Sequence, residues 1–231
     1  MLLHDKLHEN AEFHHVLSLL PPVNMMSGPW ITGGAARRLW TGEDWHKGDV
    51  DVFFVSDHHR LAWLSEFDKV WNYTYHKKVE YPEPPWGYDK LFGSDRRAGP
   101  VKHLPQASTS METENAITFD LNYQLPAESE IRNCKLQIIK VRYAESLQEL
   151  WQTFDFNVCC FAADAHRVYA DVAALADAHA HEITVRHDHA SKNMPLRVFK
   201  HFSQGYHVHD DLLRQAMRQI ADKDVDWCNN Y

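Results

Sequence analysis

The chain of 231 residues carries 24 basic and 32 acidic side chains, a formal charge of −8, so its overall field repels phosphate and extensive non-specific DNA binding is excluded. With 44% hydrophobic and 12% aromatic residues it has the material for a packed core. No apolar run reaches the ~18 residues of a membrane span, so no membrane partner is expected. Four cysteines (Cys134, Cys159, Cys160 and Cys228) include an adjacent pair but no Cys-x-x-Cys, as suits buried thiols in a reducing compartment. The opening "MLLHDKLHENAEFHH" lacks the basic-then-apolar order of a secretion signal, and a soluble cytoplasmic protein is expected. The 17 histidines read as solvated groups of loops and helix ends, without a Cys/His set at zinc-site spacing.

In chain order, residues 5–20 place Leu7, Phe13, Val16, Leu17 and Leu20 at helical spacing, and Pro21-Pro22 stops that helix. A short strand ends at Thr32 and runs into Gly33-Gly34, where the helix "AARRLW" begins. After the turn "TGEDWHKG", the segment "DVDVFFVS" predicts a strand buried on at least one face. "HHRLAWLSEFDKVW" predicts a helix with Leu61, Leu64, Phe67 and Val70 on one side. Residues 80–113 hold five prolines and three glycines and are expected to be an irregular insertion, the kind of long loop that serves as a functional flap. Strands resume with "NAITFDLNY" and "CKLQIIKVRY", followed by the helix "AESLQELWQ". The tail reads as helical, with "PLRVFKHFSQGY" and the amphipathic "DDLLRQAMRQIADK". These elements predict an α/β (α+β) protein: a catalytic domain over 1–165, with a short mixed sheet flanked by helices, and a small helical domain over 166–231.

The segment from Trp30 to Asp57 carries the chemistry. Residues two apart on a strand share a face, so Asp49 and Asp51 project together while Val50 and Val52 anchor them. Two carboxylates that close repel unless a cation lies between them, and Mg²⁺ favours such oxygen ligands. Gly33 and Gly34 at a strand-to-helix corner remove side-chain bulk, leaving backbone N–H groups and the positive helix start to face an anion. Arg37, one turn on, and its neighbour Arg38 add cations to the same cradle. A phosphate cradle facing a carboxylate pair is the equipment of two-metal phosphoryl transfer, and it predicts a nucleoside triphosphate as ligand.

"ITGGAARR…GDVDVFF" resembles the signature of the DNA polymerase beta-like nucleotidyltransferase superfamily, hydrophobic-Gly-Gly followed by Asp-hydrophobic-Asp. Its "GGAAR" is similar to the Gly-Gly-x-x-Arg of CCA-adding enzymes and bacterial poly(A) polymerases. "DFNVCCFAAD" resembles their nucleotide-binding Asp-Phe-Thr segment, and "RVFKHFSQGY" resembles their neck helix. Compact phage-type nucleotidyltransferases are also similar, through "NAITFDL", "KLQIIK" and "FDF". The chain departs from the CCA-adding pattern at three places. Gln152, Thr153 and Phe154 stand where two arginines precede the second block, Cys159 replaces an asparagine, and Gln137 occupies a plausible position for a third carboxylate. Asp155 and Asp120 are the remaining candidates for that carboxylate.

The resemblance implies a nucleotidyltransferase that moves a nucleoside monophosphate from a triphosphate, ATP among the candidates, to a hydroxyl acceptor. Asp49 and Asp51 would bind two Mg²⁺ ions, Asp155 would join them in catalysis, and Gly33, Gly34, Arg37 and Arg38 would hold the triphosphate. The acceptor would be an RNA 3′ end or a protein side chain, gripped through the basic stretch "KLFGSDRRAGPVKH" by Arg96 and Arg97. The alternative expectation is a nucleotide-sequestering module of the same fold without turnover.

Overall fold

The structure is a computed structural model that describes residues 3–74, 105–186 and 193–221. Among these the chain forms a mixed α/β protein with a nine-stranded sheet and seven α-helices. In chain order the elements are β1 (Leu3–Leu7), α1 (Ala11–Ser18), β2 (Trp30–Thr32), α2 (Gly34–Thr41), β3 (Val50–Phe53), α3 (Asp57–Val70) and β4 (Asn72–Thr74). Then come β5 (Gln106–Glu112), β6 (Ala116–Gln124), β7 (Ile131–Ile139), α4 (Leu147–Gln152), β8 (Phe161–Ala163) and β9 (Arg167–Asp171). The last elements are α5 (Val172–Ala180), β10 (Glu182–Ile183), α6 (Met194–Ser203), β11 (His207–Val208) and α7 (Asp210–Ala221). No helix among the described residues is long and apolar enough to cross a membrane.

The sheet order is β1-β9-β8-β2-β3-β7-β6-β5-β4. Neighbours are antiparallel except β3 with β7 and β4 with β5. At the centre, β3 lies between β2 and β7, with Thr32 opposite Asp51 and Asp51 opposite Gln137. That register aligns residues from three distant stretches of chain across one floor. The alternation read from "DVDVFF" has its physical result here, because Val50 and Val52 are fully buried while Asp51 is only half-buried.

Several elements differ from expectation. The helix expected over 5–20 is a strand followed by a shorter helix. β1 pairs along its whole length with β9, and Asn10 caps α1 by accepting from the Phe13 N–H at 2.8 Å, so the helix starts at Ala11. The irregular stretch expected over 80–113 contains β5 from Gln106 onward, and residues 75–104 lie outside the described residues. "QASTSME" has little apolar alternation of its own. Pairing with β6, through a register shift between Thr109 and Met111, makes it a strand. α3 forms where expected, but its buried face carries Trp63 and Phe67, while Leu61 and Val70 are exposed.

The sheet is larger than the short one expected, and it continues past the anticipated boundary at 165, because β9 pairs with both β8 and β1. The remainder is more than helices: β10 and β11 form a parallel pair beside α5, α6 and α7. A second hydrophobic cluster, with Phe156, Ile183, Val198, Tyr206 and Val208 among its members, gives this part its own core. The main core lies against the large sheet and includes Trp30, Trp45, Trp71 and Trp151, each almost wholly buried.

Candidate functional site

β2 ends at Thr32, whose hydroxyl accepts from the Trp151 indole N–H at 2.9 Å and donates to the Phe161 carbonyl. The strand end is thereby fixed to α4 and β8. Gly33 follows with φ +100°, a conformation that favours glycine, and its N–H donates to the Phe161 carbonyl at 2.8 Å. A Cβ on Gly33 would lie 3.3 Å from Asp51 Oδ2. The corner therefore sits directly against the carboxylate, and the first turn of α2 has no side-chain cap at its Gly33 end.

Asp49, one residue ahead of β3, and Asp51 on the strand line a cavity of about 690 Å³. Neither forms a hydrogen bond or ion pair to another side chain among the described residues. Burial, and then the charge of Asp49, push the Asp51 carboxyl up from its ordinary 3.8 to about 7, while Lys200 and Arg197 pull it partly back. No cation bonds the pair directly among the described residues, and Lys200 and Arg197 offset its charge only in part. Its hard oxygen donors fit Mg²⁺, which takes one or two carboxylates and fills its remaining positions with water and phosphate oxygens.

The cavity wall beside the corner is cationic. Arg37 is 2% exposed and Arg38 is 5% exposed, and neither forms an ion pair among the described residues. Arg37 donates weakly to Gln204 Oε1 at 3.4 Å and stacks over the Tyr206 ring at 4.9 Å. Arg38 reaches back beneath the loop, so that a Cβ on Gly34 would meet its Nη1 at 3.1 Å and one on Gly48 at 2.3 Å. Burial and then the Arg37 charge depress the Arg38 pKa. Glu43 and Asp44 offset this in part through their charge, but adjacent buried guanidiniums without a direct ion pair are costly unless an anion satisfies them.

The rest of the charged lining comes from α6 and the turn after β7. Arg197, Lys200 and Gln204 recur at helical spacing along one side of α6 and line the cavity with Arg142. Arg197 forms an ion pair with Asp155, which also lines the cavity. His201, 8% exposed, has its Nε2 at 3.8 Å from Cys159 Sγ and its Nδ1 without a partner among the described residues. Burial first, then Arg37, Lys200 and Arg197, push its pKa down to about 3, and burial pushes the Cys159 thiol up.

Asp49, Asp51, Asp155, Gly33, Gly34, Arg37 and Arg38 thus converge on one cavity. Asp120 does not: it lies on β6 opposite Lys135 and Ser108 and is not part of the cavity lining. The position beside Asp51 is filled by Gln137, 5% exposed, whose amide donates to Thr118 Oγ1 at 3.3 Å. Arg96 and Arg97 lie outside the described residues. Sequence reasoning missed Lys47, Arg142, Arg197, Lys200 and His201 as cavity residues. The spacing of Arg197, Lys200 and Gln204 in "RVFKHFSQ" was a readable signal, whereas Arg142 is brought in only by the path of the chain after β7.

The fold and cavity define a mixed α/β protein with a cavity lined by arginines and lysines beside a carboxylate pair. The family model described as Gabija anti-defense 2 (Gad2) family protein matches residues 7–181, more than half of the chain, and the chain belongs to that family. No curated protein matches it.

Proposed function

We propose that the protein is a nucleotidyltransferase of the DNA polymerase beta-like fold, acting on a nucleoside triphosphate and a hydroxyl acceptor. The observation that carries the reading is the meeting, in one cavity, of Asp49 and Asp51 with the Gly33-Gly34 corner and two guanidiniums without ion pairs among the described residues. Asp49 and Asp51 would hold Mg²⁺, which when bound neutralises charge on the reacting phosphates. The open backbone of the corner accommodates phosphate oxygens where a side chain would exclude them. Arg37, Arg38, Lys47 and Lys200 orient the triphosphate tail, and Arg197, held by Asp155, is aimed into the same space. The acceptor oxygen bonds to the α-phosphorus as the bond to the β-phosphate breaks. Pyrophosphate leaves with the electron pair, and the hydroxyl proton passes to solvent.

The family description names an anti-defense role against Gabija, which supports a protein of that defence system as the acceptor. A protein hydroxyl also suits the net charge of −8 better than a long nucleic acid does. The test is incubation of the protein with each α-labelled triphosphate, Mg²⁺ and the Gabija proteins or a host lysate. Label on a protein, absent with Asp49→Asn, supports the reading; label on RNA redirects the acceptor; no label with any triphosphate refutes transfer.

A second reading, a nucleotide-sequestering module without turnover, is favoured by Gln137 standing beside Asp51 where a third carboxylate would fit. Tight triphosphate binding with no label transfer would select it.

A further inference from the structure

A second cleft, of about 440 Å³, adjoins the main cavity and is lined by Thr41, Glu43, His181, Ser203 and Tyr206. The two share Arg37, Arg38, Lys47 and Gln204, so the guanidinium pair is a wall common to both. Glu43 is the one carboxylate among the described residues of the second cleft, and it already accepts from Thr41 Oγ1 at 2.7 Å. Three cations therefore face it against one partly engaged anion.

The contacts give the cleft a position relative to the chemistry. Asp51 lies against Gly33, Arg38 Nη1 lies against Gly34 and Gly48, and Arg38 also lines the second cleft. Carboxylate, glycine corner, Arg38 and cleft thus follow one another in that sequence. A triphosphate with its α-phosphate beside Asp51 would extend its β- and γ-phosphates along the corner toward Arg38. A guanidinium presents five N–H donors in a rigid fork. Arg37 spends a donor on Gln204 at 3.4 Å, and no side-chain hydrogen bond of Arg38 is found among the described residues, so donors remain for both sides of the wall. Arg37 is also stacked on Tyr206, and both are nine-tenths or more buried, with Arg37 Nε and the Tyr206 hydroxyl unpartnered among the described residues.

We propose that the second cleft is a pyrophosphate site, which receives the leaving group from the main cavity across the Arg37–Arg38 wall. The proposal rests on the nucleotidyltransferase reading for the origin of the pyrophosphate. The anion passes from donors on one side of the guanidiniums to donors on the other, without crossing an uncompensated stretch. This vacates the corner for the next triphosphate and separates the two products.

Ser203 allows a selective test because it lines the second cleft, is exposed, and is not part of the main cavity lining. Inorganic pyrophosphate is titrated calorimetrically, at fixed ionic strength with Mg²⁺, into the full chain saturated with a non-hydrolysable α,β-methylene triphosphate. Pyrophosphate should still bind the saturated wild type. Ser203→Glu should weaken it at least about tenfold by placing a like charge in the cleft, and the neutral Ser203→Gln should stay within about twofold. Triphosphate affinity should change by less than about twofold in both. Complete competition between pyrophosphate and the analogue would overturn the proposal, as would equal pyrophosphate binding by wild type and Ser203→Glu. If no triphosphate analogue binds, the nucleotidyltransferase reading fails. The same titration of the free protein then decides the cleft by whether Ser203→Glu loses pyrophosphate.

Discussion

Replacing Asp51 by asparagine should stabilise the metal-free protein, and only at neutral and alkaline pH. In the folded chain the Asp51 carboxyl titrates near 7 instead of its ordinary 3.8, through burial and then the neighbouring charge of Asp49. Between about pH 4 and pH 7 the unfolded chain releases this proton while the folded chain retains it. Stability therefore falls as pH rises through that window. Roughly three pH units at about 1.4 kcal/mol each set an upper bound of about 4 kcal/mol. Because Asp51 is half-buried at the edge of an open cavity, solvent screening reduces this to about 2 kcal/mol. In a protein of this size that is a melting-temperature difference of about 4–8 °C. The assay is a pair of thermal melts in chelator, at pH 4.5 and pH 8, for wild type and Asp51→Asn. The variant should melt higher at pH 8, and the two should nearly coincide at pH 4.5. Adding Mg²⁺ at pH 8 should raise the wild type and leave the variant where it is. An equal difference at both pH values would refute the raised pKa of Asp51.

Asp49→Asn should abolish Mg²⁺-dependent label transfer while the circular dichroism spectrum stays that of the wild type; retained turnover would remove the carboxylate pair from catalysis. Gly34→Val would drive a branched side chain toward Arg38 Nη1, already 3.1 Å from a Cβ at that position, and should raise the triphosphate dissociation constant by about tenfold or more in a binding titration. His201, with its pKa near 3, should show no titration of its ring signals between pH 5 and pH 8 by NMR, and a midpoint near 6.5 would contradict its burial among cations. Arg96→Ala with Arg97→Ala should weaken acceptor labelling and leave triphosphate binding within about twofold, a test of the basic stretch "KLFGSDRRAGPVKH".

The central elements were legible because their signals are local. Strict alternation marks "DVDVFF", the glycine corner marks the start of α2, and spacing marks α7. β1 and β5 were not legible, because each is a polar segment made into a strand by a partner far away in the chain. The same holds for the site. Asp49, Asp51, Gly33, Gly34, Arg37 and Arg38 lie within one short stretch and could be read together. Asp120 looked equivalent to Asp155 by its apolar neighbours. The order of strands separates them, since two strands stand between β2 and β6, and Asp120 is paired with Lys135 on the adjacent β7. Arg142 and His201 carry no motif and become cavity residues through tertiary packing alone.

The parallel pairing of β3 with β7 has a consequence for how the protein comes into being. Asp51 and Gln137 are direct neighbours on the cavity floor, yet the ribosome adds them 86 residues apart, and the α6 side of the cavity follows after another stretch of chain. Closing so long a loop precedes any reward from the contacts it makes, so the floor is a slow, non-local product of folding. The glycine corner and both aspartates leave the ribosome early, but they remain an open local segment until β7 docks beside β3. The cavity proposed to take a triphosphate is therefore completed late in synthesis, after residue 139 for the floor and after residue 204 for the α6 side.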